Sequence, residues 1–326
     1  MKIQVGVLRG GPSHEYDVSI KTGAAVIKNI PKERFDVVDI FLDKNGEWHV
    51  AGLPISPDLA LKRLDVVFNA LHGQYGEDGK VQRFLEAHGI PFTGSGSHSS
   101  AVGMNKALSK KAYKKNGIKT PYHILIEKDG DARSVEERAF HIFRSFPMPA
   151  VVKPVSSGSS VGVFLALDFQ SFIKAIDEAF KISDDIMIEE YIKGKEATCA
   201  VVEGFRNESL YALPPIEIRP HNGALFDYSA KYEGKSDEIC PGNFTEEERG
   251  EIMRLAREAH EALNLSHYSR TDFMIHPRRG IYVLETNTLP GLTNESLLPK
   301  SLAVVGASLS SFIEHLLDLA LKSKKG

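Results

Sequence analysis

Four polar residues near the end of the chain, Arg270, Asp272, Glu285 and Asn287, have the types and spacing of a metal and phosphate site. Residues 269–276 and 281–287 are predicted strands, and residues 277–280 are a predicted turn between them. This register places Asp272 opposite Glu285 and Arg270 opposite Asn287, all on one face. The residues predicted to point the other way are Phe273, Ile275, Tyr282 and Leu284. Mg²⁺ selects such oxygen ligands, whereas the alternative is a solvated face with a cross-strand ion pair.

A glycine- and serine-rich loop follows a predicted strand in residues 151–162. Small residues let backbone N–H groups converge on an anion, and Lys153 would add a positive charge. The segment has no Walker spacing, and no helix starts at its glycines. A phosphate-covering loop and a flexible hairpin turn are both open interpretations.

The acidic segment 187–192, which is followed by Glu196, resembles a strand that leaves one domain and enters the next. Extended backbone at such a crossing can bind the edge of an adenine, and carboxylates can accept from ribose hydroxyls or an amine. Surface acids explain the same segment equally well.

Two further candidates lie where strands are predicted to end. Glu15 closes a strand-to-helix turn, in which it could hold an ammonium group or serve only as a first-turn acid. His72 stands in a segment with three glycines, which indicates close backbone approach to another group, although a lone histidine is usually structural.

The length and pattern of the chain predict three domains in an α/β protein. Residues 1–94 alternate short strands and helices, which is typical of an open parallel sheet. Residues 95–189 are predicted to form a small α+β domain that opens with one long helix, 99–116. Residues 190–326 are predicted to form a second α+β domain, with a lid loop at about 221–243.

Composition excludes several function classes. The net charge of -3 gives no reason to expect nucleic acid. Two cysteines without metal spacing favour a reduced, cytoplasmic setting. The N-terminal segment leaves no room for a secretory signal, and no apolar run has the length of a membrane span.

Together the motifs resemble the D-alanine:D-alanine ligase family of the ATP-grasp superfamily, over nearly the whole chain. The matching elements occur in the order of the family: Gly10-Gly11-x-Ser13-x-Glu15, His72-Gly73-x-x-Gly76-Glu77-Asp78-Gly79, Thr93-Gly94-Ser95-Gly96, Met104-Asn105-Lys106, the Lys153-Pro154 loop, Glu189 with Glu196, Asp227-Tyr228 through Lys231-Tyr232, Arg270-x-Asp272, and Glu285-x-Asn287-x-x-Pro290-Gly291 with Ser296. The resemblance implies a three-domain ATP-grasp architecture, with a parallel α/β N-terminal domain, a small α+β central domain and an α+β C-terminal domain.

The resemblance also implies roles for individual residues. It implies that ATP is held by Lys106, Lys153, Ser160, Glu189, Glu190, Ile192 and Glu196. It implies that two Mg²⁺ or Mn²⁺ ions are held by Asp272, Glu285 and Asn287. The implied catalytic residues are Glu15, Ser159, Tyr232, Arg270 and Gly291, and the implied substrate-binding residues are His72, Lys231 and Ser296.

The implied activity is ligation of two D-alanine molecules through an acyl phosphate, for the synthesis of peptidoglycan precursors. A homodimer is expected from the resemblance alone. Alternatives left open are a ligase with D-lactate, D-serine or another second substrate, and a silent nucleotide-binding module. The chain departs from the family at His267, where a glycine is common, and at Asn294-Glu295, which adjoin the second-substrate pocket.

Overall fold

The computed structural model describes residues 2–128, 133–156, 158, 162–220 and 236–322. Within them the strands are β1 (Ile3–Gly10), β2 (Phe35–Leu42), β3 (Trp48–Val50), β4 (Leu53–Pro54), β5 (Val66–Asn69), β6 (His123–Glu127), β7 (Ala150–Pro154), β8 (Phe164–Ala166), β9 (Asp185–Glu190), β10 (Lys195–Glu203), β11 (Leu210–Ala212), β12 (Ile216–Pro220), β13 (Ser236–Ile239), β14 (Tyr268–His276) and β15 (Gly280–Asn287). The helices are α1 (Tyr16–Asn29), α2 (Pro57–Leu61), α3 (Lys80–Ala87), α4 (Ser97–Met104), α5 (Lys106–Lys115), α6 (Val135–Phe143), α7 (Phe169–Phe180), α8 (Glu246–Ala262), α9 (Leu297–Val304) and α10 (Leu309–Lys322). A short 3₁₀ helix covers Phe205–Asn207.

The first sheet has the strand order β4-β3-β2-β1-β5. Strand β1 pairs in parallel with both β2 and β5, as the sequence predicted. The antiparallel strands β3 and β4 add an edge that the sequence analysis did not predict. Because β1 and β5 end at the same edge, the segments that follow them, with Glu15 and His72, meet there.

The central sheet has the order β6-β9-β7-β8, and its pairings are antiparallel. Buried residues of α6 and α7 cover one face of it, Ala139 and Phe172 among them. Helix α6 begins at a capping box formed by Ser134 and Glu137. This element was missing from the sequence analysis, although the motif is readable there.

The third sheet has the order β13-β12-β10-β14-β15, with β11 also paired to β10. Strands β11 and β12 are separate elements rather than one continuous strand. Pro214 and Pro215 lie at the break, since proline has no N–H to donate to a sheet ladder. Helix α8 begins at a capping box formed by Thr245 and Glu248.

The β14–β15 hairpin pairs Arg270 with Asn287 and Asp272 with Glu285, as predicted. The turn is one residue shorter than predicted, because His276 already pairs with Gly280. A bulge beyond Asp272 restores the predicted pairing at the polar residues.

The bulge changes which apolar residues lie behind the polar face. Phe273 pairs with Val283, and both pack in the core, whereas Met274 pairs with Tyr282. The prediction that Tyr282 shares the face of Phe273 was therefore wrong, because one extra residue on β15 exchanges the two faces. The placement of Leu284, which lies at the bulge, stays a prediction.

The predicted long helix over residues 99–116 is two helices, α4 and α5, separated at Asn105. Asn105 has extended backbone angles, and its side chain accepts from the Leu108 N–H as the cap of α5. The next N–H, that of Lys106, donates to the carbonyl of Val155 at the end of β7 at 2.9 Å. The break therefore fixes the start of α5 beside the central sheet.

One apolar core joins the first sheet to the last two helices. It contains Val7 and Phe68 from the sheet and Phe312 and Leu316 from α10. Among the described helices none is by itself long and apolar enough to cross a membrane, although α9 and α10, bent by 105°, meet those criteria of length and composition as a pair.

Candidate active site

A cavity of about 940 Å³ lies between α1, the β14–β15 hairpin and the segment that follows the hairpin. Nine of the residues to which the resemblance assigns a role line it: Glu15, His72, Lys106, Arg270, Asp272, Glu285, Asn287, Gly291 and Ser296. They come from chain segments that are far apart in sequence. The structure therefore brings the predicted catalytic, substrate-binding and metal-binding residues to one place.

The polar face of the hairpin forms one wall of this cavity. Arg270 donates from Nε and Nη2 to the two carboxylate oxygens of Asp272, each at 3.0 Å. Thr198 Oγ1 also donates to Asp272, at 2.6 Å. Lys106 Nζ lies 3.3 Å from Oε2 of Glu285. Each carboxylate thus has its own cationic neighbour.

The metal-ligand set is small. Within the described ranges no three His, Cys, Asp or Glu side chains are gathered closely enough to hold a metal ion. Two carboxylates and Asn287 remain, and Asn287 Oδ1 accepts from the Leu289 N–H at 2.9 Å. This set suits Mg²⁺, which usually takes one or two carboxylates and completes its shell with water and substrate phosphates.

Glu15 lies at the other side of the cavity, between two glycines. A Cβ atom built on Gly73 would lie 2.5 Å from its Oε2, and one built on Gly158 would lie 2.7 Å away. The Glu15 N–H donates to Ser13 Oγ at 2.9 Å, which fixes the turn. Because Gly158 belongs to the glycine- and serine-rich loop, that loop reaches the carboxylate predicted to hold an ammonium group.

His72 is buried and held in one orientation. Its Nε2 lies 2.9 Å from Thr22 Oγ1 on α1, and its Nδ1 lies 3.6 Å from Oε1 of Glu77. Glu77 also accepts from the Gly73 N–H at 2.9 Å and itself lines the cavity. The sequence analysis assigned no role to Glu77, although it stands in the same motif.

The segment after the hairpin closes the cavity. Ser296 Oγ accepts from the Thr293 N–H at 3.1 Å, and a Cβ atom on Gly291 would lie 2.8 Å from the same oxygen. Asn294 and Glu295 are exposed and line the same cavity. The two unusual residues of the sequence therefore stand next to Ser296 at the proposed second-substrate position.

A buried cluster of charges lies on the central sheet and α5. Lys153 Nζ lies 2.9 Å from Oε1 of Glu189, and Lys110 Nζ lies 2.7 Å from Oε2. Burial alone would raise the pKa of the Glu189 carboxyl, but the charges of Lys110 and Lys153 outweigh it and hold that pKa below its ordinary value. The sequence analysis missed Lys110, although a lysine four residues after Lys106 on a helix shares its face.

Further residues predicted to bind ATP lie on or after β9, which carries Glu189. Glu190 accepts from the Tyr122 N–H at 3.0 Å and from Arg279 Nη2 at 2.8 Å. Ile192 is buried, and Glu196 lies on β10 opposite Ile218 and Met274. None of Lys153, Glu189, Glu190, Ile192 and Glu196 lines the large cavity.

Four predicted site residues fall outside the described residues: Ser159, Ser160, Lys231 and Tyr232. Most of the predicted lid, residues 221–235, also falls outside them.

Two family models match the chain. The model described as D-ala D-ala ligase N-terminus matches residues 4–58 and 51–95, and D-ala D-ala ligase C-terminus matches residues 85–318. A D-alanine–D-alanine ligase of Geotalea uraniireducens is 38% identical over 97% of this chain and 95% of its own length. One of Bacillus anthracis is 38% identical over 99% of each chain.

Solved structures similar to this chain belong to the same family of ligases. The VanG D-Ala:D-Ser ligase from Enterococcus faecalis superposes with a TM-score of 0.85, at 30% identity over 98% of this chain and all of its own. The D-alanine–D-alanine ligase from Bacillus anthracis complexed with ATP superposes with a TM-score of 0.81, at 33% identity over 99% of each chain. The ATP-grasp architecture expected from the sequence is thereby confirmed. The chain belongs to the D-alanine–D-alanine ligase family.

Proposed function

We propose that this protein joins two D-alanine molecules into D-alanyl-D-alanine while ATP is converted to ADP and phosphate. The observation that carries the proposal is the single cavity in which Glu15 and the hairpin residues Arg270, Asp272 and Glu285 converge. Full-length relatives named D-alanine–D-alanine ligase support it, and so does the neighbour solved with ATP. A silent nucleotide-binding module is disfavoured, because the three predicted metal ligands are present and each of the two carboxylates among them has a cation beside it.

The first step is activation of a carboxylate. A carboxylate oxygen of the first D-alanine attacks the γ-phosphorus of ATP, so that an acyl phosphate forms and ADP leaves. Glu15 holds the ammonium group of that D-alanine, which points its carboxylate toward the hairpin. Lys106 and Lys153 neutralise charge on the phosphates.

The second step forms the peptide bond. The neutral amine of the second D-alanine attacks the acyl carbon, and the tetrahedral oxyanion collapses with loss of phosphate. Arg270 and the Gly291 N–H are the donors proposed for that oxyanion. Ser296 is proposed to bind the carboxylate of the second substrate, and His72 lies near the first.

Asp272, Glu285 and Asn287 fit divalent cations, because they present oxygen atoms from paired strands to the cavity. Two Mg²⁺ or Mn²⁺ ions, when bound there, would neutralise charge on the phosphoryl group as it transfers. The roles proposed for Ser159, Ser160, Lys231 and Tyr232, and for the lid at about 221–243, rest on the resemblance alone.

The test is incubation of the pure protein with ATP, Mg²⁺ and D-alanine. We expect ADP, phosphate and D-alanyl-D-alanine in equal amounts, with no ADP when D-alanine is left out. Release of AMP and pyrophosphate, or no turnover with any D-amino acid, would contradict the proposal.

D-serine is a second candidate for the acceptor. The neighbour with a TM-score of 0.85 is a D-Ala:D-Ser ligase, and the polar residues Asn294 and Glu295 line the cavity beside Ser296. Competition between D-alanine, D-serine and D-lactate, with the products identified by mass, distinguishes these acceptors.

We also propose the domain division 1–94, 95–189 and 190–326. It is supported by the sheets, since each of the three ranges contains one of them, apart from Glu190 at the end of β9. A homodimer stays a prediction from the family resemblance.

A further inference from the structure

Lys110 is a buried cation that the proposed reaction does not use. Its side chain is 1% exposed, its ammonium group lies 2.7 Å from Glu189 Oε2, and it donates to Thr120 Oγ1 at 2.6 Å. The neighbouring Lys153 meets the other oxygen of Glu189 at 2.9 Å. Two lysines therefore share one buried carboxylate.

This arrangement carries one more positive charge than negative charge. Burying charges costs several kcal/mol each unless partners compensate, so a surplus cation in such a place needs an anion from elsewhere. A nucleotide phosphate supplies one. Because Lys153 is the lysine proposed to bind a phosphate, it is the one that must give up part of its contact with Glu189 when ATP arrives.

Helix α5 holds Lys110 independently of Lys153. Lys106 and Lys110 are four residues apart and share one face of the helix, where Lys106 meets Glu285. On the same helix, the Tyr113 hydroxyl donates to Thr286 Oγ1 on β15 at 2.8 Å. Helix α5 is thus anchored to the metal-binding hairpin at one side and to Glu189 at the other.

We propose that Lys110 is a positioning residue for the nucleotide, because it keeps Glu189 ionised and in place while Lys153 turns its charge to a phosphate. The inference rests on the proposed function, in which Glu189 and Lys153 hold ATP. A purely structural ion pair would fix the fold without affecting the affinity for nucleotide.

Several charged groups act on Lys110: Glu189 on β9, Lys153 on β7 and Glu285 on β15. The pKa of His123 on β6 is lowered, mainly by burial, and the charges of Lys110, Glu189 and Lys153 also act on it. Burial lowers the pKa of the Lys110 ammonium group to about 8, against the raising effect of the Glu189 carboxylate. Lys110 therefore loses its charge within a pH range that binding experiments can reach.

The test compares Lys110→Met, Lys110→Arg and the control Lys111→Met, which changes an exposed lysine of the same helix. The dissociation constant of a non-hydrolysable ATP analogue is measured by calorimetry without D-alanine, and KM and kcat are measured in the ligation assay. We expect Lys110→Met to weaken nucleotide binding about ten- to hundredfold, which is the range for a lost charge-assisted hydrogen bond. The KM for ATP should rise accordingly, while the KM for D-alanine stays unchanged.

Lys110→Arg should recover most of the affinity for the ATP analogue, and Lys111→Met should match the native protein.

In the native protein the affinity for the ATP analogue should fall above pH 8, and Lys110→Arg should remove that decline, since arginine keeps its charge. The pH series decides the matter even when Lys110→Met does not fold. Native-like nucleotide affinity in Lys110→Met, or the same alkaline decline in Lys110→Arg, would overturn the inference. If the native protein binds the analogue but makes no dipeptide, the proposed function fails and the inference about Lys110 stands on the binding data.

Discussion

Arg270 forms a bidentate pair of hydrogen bonds with Asp272, in which Nε and Nη2 each lie 3.0 Å from a different carboxylate oxygen. Both residues lie on β14 and both line the cavity. A bidentate contact of this kind fixes the plane of the carboxylate as well as its charge. The residue proposed to stabilise an oxyanion and a residue proposed to hold metal are therefore oriented as one unit.

Substitution of the two carboxylates proposed to bind metal should abolish ligation but affect folding differently. Asp272 is buried with three hydrogen bonds, so Asp272→Asn should lower the free energy of unfolding by about 1–3 kcal/mol. The Glu285 side chain is 34% exposed, so Glu285→Gln should change it by less than about 1 kcal/mol. Urea denaturation and the ligation assay measure the two effects. Full activity of Glu285→Gln with Mg²⁺ would show that Glu285 of the hairpin is not needed to bind the metal.

A methyl group at Gly158 should displace Glu15. Gly158→Ala places a Cβ atom 2.7 Å from Glu15 Oε2, so this carboxylate must shift from the position in which it is proposed to hold the first D-alanine. We expect a higher KM for the first D-alanine with little change in thermal stability. The control is Gly250→Ala in α8, where a Cβ atom meets nothing within 4 Å and helix propensity should raise stability by up to about 1 kcal/mol. An unchanged KM in Gly158→Ala would show that Glu15 does not hold the substrate.

Two substitutions at His267 should separate the effect of its backbone angle on stability from the effect of its side chain. It adopts φ 67°, and its Nδ1 accepts from the Gly94 N–H at 3.1 Å. His267→Ala loses the acceptor and keeps the unfavourable backbone angle, so it should destabilise the protein by about 1–3 kcal/mol. His267→Gly removes the same acceptor but tolerates the angle, and it should be less destabilised than the alanine variant by about 1 kcal/mol. Equal unfolding free energies for the two variants would contradict this account.

Stability should fall in acid partly through Glu203. Burial raises the pKa of this carboxyl, but the contact with His260 and the hydrogen bond from the His267 N–H outweigh it, so the pKa lies below the ordinary 4.5. The unfolded chain then binds a proton that the folded chain does not, and stability is lost as pH falls below about 4.5. Denaturation midpoints between pH 6 and 3 measure the slope. Glu203→Gln should make it shallower, and an identical slope in this variant would assign the acid sensitivity elsewhere.

The hairpin shows how far the sequence could predict the site. Alternation along a strand is a local property, so the shared face of Arg270 and Asp272 was readable. The facing of Asp272 and Glu285 was predicted correctly from a turn that was one residue too long, because the bulge compensates for the difference. A bulge depends on tertiary packing, and no local pattern in the sequence of this strand predicts it.

Two residues of the proposed nucleotide site were found in the sequence, but their contact with Lys110 was not. Lys153 and Glu189 are on paired strands, yet Lys110, the second lysine that contacts Glu189, comes from α5. The start of α5 depends on the cap at Asn105, and the continuous polar pattern of residues 97–115 hid that break. Burial of a lysine is set by what packs over it, which a single sequence does not display.

The apolar core that joins Phe68 to Phe312 links the earliest strands of the chain to its last helix. Domains usually fold from the N-terminus as synthesis proceeds. Here the face of the first sheet that carries Val7 and Phe68 waits for α10, which leaves the ribosome some 240 residues later. The apolar face of the first sheet therefore lacks part of its cover until α10 is made, and loss of α10 would destabilise the part of the molecule that was made first.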